Sequence, residues 1–401
     1  MSLLLRNARL IDGDPAVLPR AVDVLILQGR IASVGSRIAA DDLPPSTRVL
    51  DLAGRALLPG LIDCHVHLTW AAGPRPVPTF LSDDATTMAL RAAANARATV
   101  EAGVTTVRDV GGPNGIVFPL RDAVARGILV GPQVVASGAP ITTTNGHCHF
   151  MGAIADTLPE VEARVREQVA AGADLIKVMA TGGNHTPGSS GQITQYRTEA
   201  LHAAVRLAHE AGLPLTAHIL NHEVLHMALD AGVDCIEHGN AIDDAVAARM
   251  ARLGTWLVPT LCTRYLLAQR RDDPELPPYM AERVRTLRYD RTANVQAVLR
   301  HGVRLAAGTD AGTTHVPHGC LATELRLWVE AGMAPRQAIA GATLEAARLL
   351  RVDREVGSVE PGKRADLLVV DGDPLTDIRS LERPALVVRD GAVVVDRLQR
   401  D

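Results

Sequence analysis

The chain has 401 residues, more than one compact core normally holds, so we expect one large domain and one smaller domain. Charged residues make up 21% of the chain and the formal net charge is −4, which disfavours nucleic acid and anionic membranes as partners. We therefore expect a small-molecule partner, and we expect the chain to form a homo-oligomer.

The first residues and the cysteines bear on the cellular compartment. The apolar stretch before Arg6 is too short for a signal peptide, and no window reaches the roughly 18 apolar residues of a membrane span. The five cysteines form no CxxC pair and are odd in number, which disfavours a disulfide framework. We therefore expect a cytoplasmic protein whose thiols are reduced.

Both ends of the chain contain short apolar runs that predict β-strands. Residues 2–56 and about 357–400 carry such runs, with tight turns at Gly29 and Gly391. Two half-sheets that are separated in sequence can cover each other's apolar faces, which neither half could bury alone. The two ends therefore predict one small β domain that both of them build.

The middle of the chain repeats one pattern, in which a helix-like stretch is followed by a glycine and a short apolar strand. The repeats are "EAGVTTVRD", "AAGADLIKV", "EAGLPLTAH", "DAGVDCIEH", "RLGTWLVPT" and "RHGVRLAAGTD". Each glycine stands where a helix C-cap requires positive φ, and continuous apolar strands are typical of a parallel sheet covered by helices. With "LLPGLID" and "PQVVAS" the predicted strands number eight.

These elements predict an α/β protein with two domains. Residues 58–355 form a (β/α)₈ TIM barrel, in which functional side chains collect at the C-terminal ends of the strands. Residues 1–57 and 356–401 form the two halves of a small β-sandwich domain. A further helix over about 335–350 begins with a proline near its first turn.

Histidines and an aspartate stand at the ends of predicted barrel strands. In "GLIDCHVHL", His65 and His67 point to the same side of a strand, where two neutral imidazoles can reach one divalent ion. Taken alone, this pair is explained equally well as two ordinary histidines. However, His218, His238 and Asp310 end three later strands, and such a set has few structural uses. Together the five residues predict a metal site at the barrel mouth.

Lys177 lies inside the apolar strand of "DLIKVMATGG". A buried ammonium is costly unless it is paired or neutral. Burial lowers the pKa of a lysine, and the neutral amine can react with CO₂ to form a carbamate that is long enough to bridge two metal ions. A lysine paired to a carboxylate and a Schiff-base lysine are the alternatives, and the surrounding histidines favour the carbamate.

These motifs resemble those of the amidohydrolase superfamily, and within it the imidazolonepropionase-like members that include metal-dependent Xaa-Pro and Xaa-Lys/Arg dipeptidases and ochratoxin-type amidases. The likeness covers nearly the whole chain and rests on "PGLIDCHVHL", "GVTTVRDVGG", "LIKVMATGG", "LTAHIL", "GVDCIEHG", "GTDAG" and "VGSVEPGKRADLLVVDGDP". Imidazolonepropionases lack the bridging lysine, so Lys177 favours the binuclear, dipeptidase-like branch. The ligands that the resemblance implies are His65, His67 and Asp310 for the more buried ion, His218 and His238 for the more exposed ion, and carboxylated Lys177 as the bridge.

The expected cofactors are two divalent ions, Zn²⁺ in the first place, and a carbamate that CO₂ forms on Lys177. Two cations that share a water lower its pKa enough to supply a bridging hydroxide near neutral pH, and they polarise the substrate carbonyl. Asp310 is the expected proton shuttle from the attacking hydroxide to the leaving amine. The more exposed ion, which His238 helps to hold, would stabilise the oxyanion.

Weaker patterns point to substrate binding. The resemblance matches His147, in the loop after the third strand, with a histidine that dipeptidase-like relatives use near the substrate. Arg264 and Tyr265 can donate hydrogen bonds to a carboxylate, and the start of a surface helix explains them equally well. His318 is a further candidate on the same face. Histidines on these loops whose roles the sequence leaves open are His149, His185 and His315.

The expected reaction is hydrolysis of amide bonds, first of dipeptides or N-acyl amino acids that carry a free C-terminal carboxylate. The alternative is hydrolysis of a cyclic amide, carbamate, urea or other xenobiotic amide on the same metal centre, as in ochratoxin-type amidases or imidazolonepropionases. A scaffold without enzymatic activity is disfavoured because the chain keeps all six ligands. A lyase that uses Lys177 as a Schiff base would be revealed by borohydride trapping with a carbonyl substrate.

Overall fold

The computed structural model describes residues 2–286 and 292–398. This part contains eighteen strands, which occur from its first residues to its last. The strands are β1 (Ser2–Leu10), β2 (Arg20–Leu27), β3 (Arg30–Gly35), β4 (Arg48–Asp51), β5 (Ala56–Pro59), β6 (Leu61–Val66), β7 (Val104–Asp109), β8 (Gln133–Ala136), β9 (Ile141–Thr142), β10 (Ala153–Ile154), β11 (Ile176–Met179), β12 (Leu215–Ile219), β13 (Cys235–His238), β14 (Trp256–Val258), β15 (Arg304–Leu305), β16 (Leu367–Val370), β17 (Pro384–Arg389) and β18 (Ala392–Asp396).

Helices fill the stretches between the strands of the middle region. They are α1 (Pro76–Ser82), α2 (Ala85–Glu101), α3 (Asn114–Ala125), α4 (Leu158–Ala170), α5 (Thr198–Glu210), α6 (His222–Ala231), α7 (Asp244–Leu253), α8 (Leu261–Gln269), α9 (Pro278–Thr286), α10 (Thr292–His301), α11 (Leu321–Glu330), α12 (Pro335–Gly341) and α13 (Leu344–Leu349), with short 3₁₀ turns at Ala40–Asp42 and Ile378–Glu382. None of the helices described is both long enough and apolar enough to cross a membrane.

Strands from both ends of the chain share one sheet, in the order β18-β17-β16-β5-β1-β2-β3, with β4 paired to β1. β16 joins the two parts because it pairs antiparallel with β5. Its residues alternate between two faces: Leu367 and Val369 pack in the core of the sheet domain, whereas Leu368 and Val370 belong to the core shared with the barrel. The predicted sheet domain built from both chain ends is confirmed.

The two predicted hairpin turns hold the two chain ends together. Gln28 and Gly29 have φ values of 49° and 82°, and Asp390 and Gly391 have φ values of 52° and 73°, as two-residue hairpins of this type require. A Cβ at Gly391 would lie 2.6 Å from the Cα of Gly29, so the turns pack closely and the position accepts only glycine.

Eight parallel strands form the barrel, one at each place that the sequence predicts: β6, β7, β8, β11, β12, β13, β14 and β15. β6 to β8 form one hydrogen-bonded sheet, and β11 to β15 belong to a second sheet, which the short strands β9 and β10 extend at its β11 edge. Several backbone hydrogen bonds link β6 to the segment that follows β15, among them Asp310 N to His65 O (2.7 Å), and on the other side Asp174 N donates to Ala136 O (2.9 Å). The predicted TIM barrel is confirmed.

The barrel departs from the sequence prediction in its first strand and in its last helix. "LLPGLID" is two strands, because Gly60 separates β5 of the terminal sheet from β6 of the barrel. The helix predicted over 335–350 is likewise two helices, α12 and α13. The carbonyls of Gly341 and Ala342, which would continue the helix, instead accept hydrogen bonds from the backbone N–H groups of Ala307 and Ile62.

Glycines end the helices where the repeat predicts them. The six have φ between 66° and 87°: Gly103, Gly172, Gly212, Gly232, Gly254 and Gly302. The domain boundaries at 57/58 and 355/356 stay a prediction. Of the two predicted terminal halves, residues 1 and 399–401 lie outside the described residues. All five cysteines lie in the described part, and none of them forms a disulfide.

Candidate metal centre

A cavity of about 70 Å³ opens at the C-terminal ends of the barrel strands. Its wall contains all six residues that the sequence and the resemblance assign to metal binding: His65, His67, Lys177, His218, His238 and Asp310. They come from β6, β11, β12 and β13 and from the segments that follow β6 and β15. A larger cavity, of about 1210 Å³, lies at the N-terminal face of the barrel and contains none of the six.

Three of these residues are spaced as ligands of one ion. The Nε2 atoms of His65 and His67 each lie 3.3 Å from Oδ1 of Asp310. Two ligand atoms about 2.0–2.1 Å from a tetrahedral ion are separated by about 3.3 Å, so this spacing fits a zinc-sized cation. Ligand atoms of His65, His238 and Asp310 also lie within 4.8 Å of one another.

Each of the four histidines has one ring nitrogen bonded to a group outside the six assigned ligands, which leaves the other nitrogen for an ion. The partners are Glu237 Oε2 for His65 Nδ1 (2.6 Å), Gly111 O for His67 Nδ1 (2.9 Å), Gly182 O for His218 Nε2 (3.2 Å) and Thr260 Oγ1 for His238 Nδ1 (2.7 Å). These contacts orient the imidazoles before any ion arrives.

The backbone of four cavity-lining residues that are not glycine is strained. The φ values lie in the left-handed region, at 70° for His238, 60° for Asp310, 47° for Thr260 and 56° for Cys148. Each such conformation costs about 1–3 kcal/mol and persists only where the surrounding structure imposes it. Two of the four residues are assigned ligands, and Thr260 is the hydroxyl partner of one of them.

Lys177 is 2% exposed, and its side chain reaches the cavity. Burial lowers the pKa of its ammonium. Among the residues that the structure describes, no carboxylate forms an ion pair with its Nζ atom. Burial therefore favours the neutral form of the Lys177 amine, which lies beside five other potential ligands.

Asp310 is almost completely buried and nevertheless ionised. Burial by itself would raise the pKa of its carboxyl, but the neighbouring His65 and hydrogen bonds with His65 and His67 hold that pKa well below its usual range. An ionised carboxylate at this place can bind a cation and accept a proton.

The chain matches the amidohydrolase family over residues 56–394. It belongs to this family. It is 30% identical to the ochratoxinase of Aspergillus niger, over 94% of this chain and 82% of that protein. The crystal structure of a Xaa-Pro dipeptidase with methionine bound in the active site superposes with a TM-score of 0.88, at 32% identity and with 98% and 99% of the two chains covered. A prolidase complexed with N-methylphosphonate-L-proline also gives 0.88, at 28% identity and 99% and 100% coverage.

The resemblance found in the sequence is thus confirmed, together with the dipeptidase-like branch. As an amidohydrolase, the protein is a metal-dependent hydrolase of C–N bonds. The nitrogen and oxygen donors of the cavity fit such a metal, because imidazole and carboxylate are common ligands of divalent zinc.

Two charged residues of this amidohydrolase escaped the sequence analysis. Glu237 is fully buried, and its Oε1 accepts a hydrogen bond of 2.6 Å from Nη2 of Arg108, itself almost wholly buried. Both residues lie in apolar barrel strands, at "CIEHGN" and "TTVRDV". The reasoning that singled out Lys177 would have found them, because a charge in a barrel strand needs a partner.

Two aspartates brace the segments that carry the ligands. Asp63 accepts hydrogen bonds from the N–H groups of His65 (3.1 Å) and Thr309 (3.0 Å), and Asp109 accepts one from Leu68 N (2.8 Å). Burial raises the pKa of Asp63 to about 7. Both residues therefore support the barrel mouth by hydrogen bonding.

The structure separates the four predicted substrate-binding residues into two pairs. His147 and Arg264 line the amidohydrolase cavity. The His147 ring lies 4.4 Å from the His218 ring, measured between centroids, and a side chain at Gly183 would collide with it. Tyr265 instead packs beneath the guanidinium of a neighbouring helix, and His318 lies against Gly312 outside the cavity wall.

The three histidines with open roles also differ in position. His185 lines the cavity beside Trp70, at 5.9 Å between ring centroids, and burial lowers its pKa to about 4. His149 turns back to the backbone, with its Nδ1 3.1 Å from Gly146 O, and His315 lies 3.0 Å from Asp273. Only His185 of these three reaches the site.

Proposed function

We propose that this amidohydrolase cleaves dipeptides or N-acyl amino acids that carry a free C-terminal carboxylate. The observation that carries the proposal is that Arg264 and His147 line the same cavity as the six assigned ligands. A guanidinium binds carboxylates in a planar, two-pronged fashion. The Xaa-Pro dipeptidase and the prolidase, which hold methionine and a proline phosphonate, support an amino-acid carboxylate as the group bound.

The proposed centre contains two divalent ions, with Zn²⁺ as the first candidate. His65, His67 and Asp310 would hold one ion, His218 and His238 the other, and a carbamate on Lys177 would bridge them. When bound, such ions lower the pKa of water and polarise a carbonyl. The carbamate forms when the neutral amine of Lys177 adds to the carbon of CO₂ and releases one proton to solvent.

Asp310 moves the proton in this proposal. Its carboxylate, which is ionised in the cavity, accepts a proton from the attacking water and gives it to the nitrogen of the leaving amine. His185 and Trp70 line the same cavity, with their rings 5.9 Å apart between centroids. Arg264 and His147 hold the carboxylate of the leaving amino acid in place.

A second function is supported by the similarity to ochratoxinase. In this alternative the same centre hydrolyses a cyclic amide, carbamate, urea or other xenobiotic amide. The same metal ligands serve both reactions, so the two proposals differ only in the part of the substrate that faces Arg264 and His147.

The cytoplasmic location and the homo-oligomeric state stay predictions. A mass measurement in solution would test the oligomeric state.

The experiment is a substrate panel for the purified, metal-replete enzyme, with amine release as the readout. It contains dipeptides, N-acyl amino acids, their C-terminal amides, cyclic dipeptides and N-aryl carbamates. Cleavage of the linear acids well above all other classes supports the proposal. Equal kcat/KM for acids and amides, or preferred cleavage of cyclic substrates or carbamates, supports the alternative.

A further inference from the structure

The four imidazoles of the metal centre differ in the charge of the group that orients them. His65 faces a carboxylate, that of Glu237, at 2.6 Å. The other three face neutral groups, which are the carbonyls of Gly111 and Gly182 and the hydroxyl of Thr260. A carboxylate that accepts a hydrogen bond from an imidazole makes the opposite ring nitrogen a stronger donor to metal than a carbonyl or hydroxyl does.

Hydrogen bonds to both of its carboxylate oxygens fix the side chain of Glu237. Its side chain is 0% exposed, and its Oε1 accepts hydrogen bonds from Arg108 Nη2 and from the hydroxyl of Thr216. Arg108 is anchored in turn, because its Nε donates to Cys64 O at 2.6 Å. The carboxylate is therefore fixed between strands β7, β12 and β13, with its second oxygen directed at His65.

We propose that Glu237, whose negative charge is balanced by Arg108, is a positioning residue that acts on one of the two ion positions. It acts on the position of His65, His67 and Asp310. Thr260 is its neutral counterpart at the position of His218 and His238, through the hydroxyl that lies 2.7 Å from His238 Nδ1. This inference rests on the proposed binuclear centre.

A purely structural role for the Arg108–Glu237 pair would give a different result. As a brace of the barrel interior, the pair would stabilise the metal-free protein, and its loss would weaken both ion positions alike. As a positioning device, the carboxylate of Glu237 accepts a hydrogen bond from Nδ1–H of His65, which keeps the proton on Nδ1 and leaves Nε2 for the ion. Loss of the pair would then weaken metal binding at one ion position and not at the other.

The test is a Co²⁺ titration of the metal-free protein, followed by absorbance and by competition with a chelator. The variants are Glu237→Gln and, as the matched control with a neutral partner, Thr260→Val. His67→Ala and His218→Ala, which each remove one ligand, assign the spectra to the two positions. Chemical unfolding of each metal-free variant measures the structural contribution separately.

We expect Glu237→Gln to weaken the His65 position by about 10–100-fold and to leave the other within about twofold. Thr260→Val should show the reverse selectivity. Equal weakening of both positions by Glu237→Gln, or no weakening, overturns the inference. If Glu237→Gln does not fold, Glu237→Gln combined with Arg108→Met, which leaves no lone buried charge, takes its place and is judged by the same outcomes.

The design separates this inference from the proposal on which it rests. A wild-type protein that binds one Co²⁺ per chain refutes the binuclear centre. In that case Glu237→Gln must still weaken the single ion if Glu237 positions His65, and an unchanged affinity refutes the positioning role as well. Two ions in the wild type, with neither sensitive to Glu237→Gln, refutes the positioning role alone.

Discussion

The two faces of the barrel differ in what their charged side chains contact. At the N-terminal face, two of the charged residues that line the large cavity bind neighbouring groups: Arg121 pairs with Asp174 at 3.0 Å, and Arg351 donates to the carbonyl of Gly212 at a helix end. At the C-terminal face, a much smaller cavity collects four imidazoles, a carboxylate and the amine of Lys177. The potential ligands therefore converge at the C-terminal face, although its cavity is the smaller of the two.

The two faces also differ in the exposure and ion pairing of their acidic residues. Asp174 is partly exposed and paired with an arginine, as surface acids commonly are. Asp63 and Glu324, near the C-terminal face, are buried and lack a cation within ion-pairing distance among the described residues, and burial raises the pKa of each to about 7. The functional face is therefore built at a cost in stability, as expected for a preorganised site.

The largest effect expected is that of Lys177→Ala. If the amine at the C-terminal face carries the bridging carbamate, the variant loses at least one of two ions and nearly all activity. Bulk metal analysis of the purified protein measures the first and substrate turnover the second. Arg351→Ala, at the N-terminal face, is the control and should keep both ions. A wild-type stoichiometry near one that Lys177→Ala leaves unchanged would remove the carbamate bridge.

Asp310→Asn should follow in size. An amide cannot take up the proton of the attacking water, so kcat should fall by roughly 10²–10⁴-fold even where the ions are retained. The measurement is kcat at saturating substrate, with the metal content of the same sample determined in parallel. Near-normal turnover in a fully loaded Asp310→Asn variant would contradict the proton transfer.

The carboxylate pocket predicts an intermediate effect. One charged hydrogen bond contributes roughly 1.5–3 kcal/mol, so amidated substrates should lose about ten- to a hundredfold in kcat/KM relative to the free acids. Arg264→Gln and His147→Ala should narrow this gap, because only the acid uses the contact. Tyr265 lies outside the cavity wall, so Tyr265→Phe should leave the ratio of kcat/KM for acid and amide unchanged. A gap that survives in Arg264→Gln and His147→Ala would place the carboxylate elsewhere.

The smallest effect concerns the buried acids of the C-terminal face. Glu324 binds its proton more tightly in the folded state, at a pKa of about 7 against 4.5 for an unperturbed glutamate, because it is buried. The free energy of unfolding should therefore fall as the pH rises from about 4.5 to 7, and Glu324→Gln should reduce this slope. Urea unfolding at a series of pH values measures it. The exposed Glu199→Gln is the control, and identical slopes in all three proteins would contradict the assignment.

Much of the fold followed from local patterns. Positive φ at Gly232 and Gly254, each after an amphipathic helix, and the apolar strands that follow are features of contiguous residues, so the eight-strand barrel was predictable. The place of His65 and His67 on one side of β6 follows from the two-residue period of a strand. Helix α12 was harder, because its end depends on hydrogen bonds to distant barrel strands.

The sequence by itself determined the barrel and singled out the six residues that line one cavity, because strand period, glycine caps and a charge in an apolar strand are local properties. The family followed from the resemblance of its motifs. Only the tertiary structure decided which partners those residues have. Arg108 and Glu237 are 129 positions apart and meet inside the barrel, whereas Tyr265, next to Arg264, turns away from the cavity. Hydrogen-bond partners and access to a cavity depend on long-range packing, which neighbours in sequence do not encode.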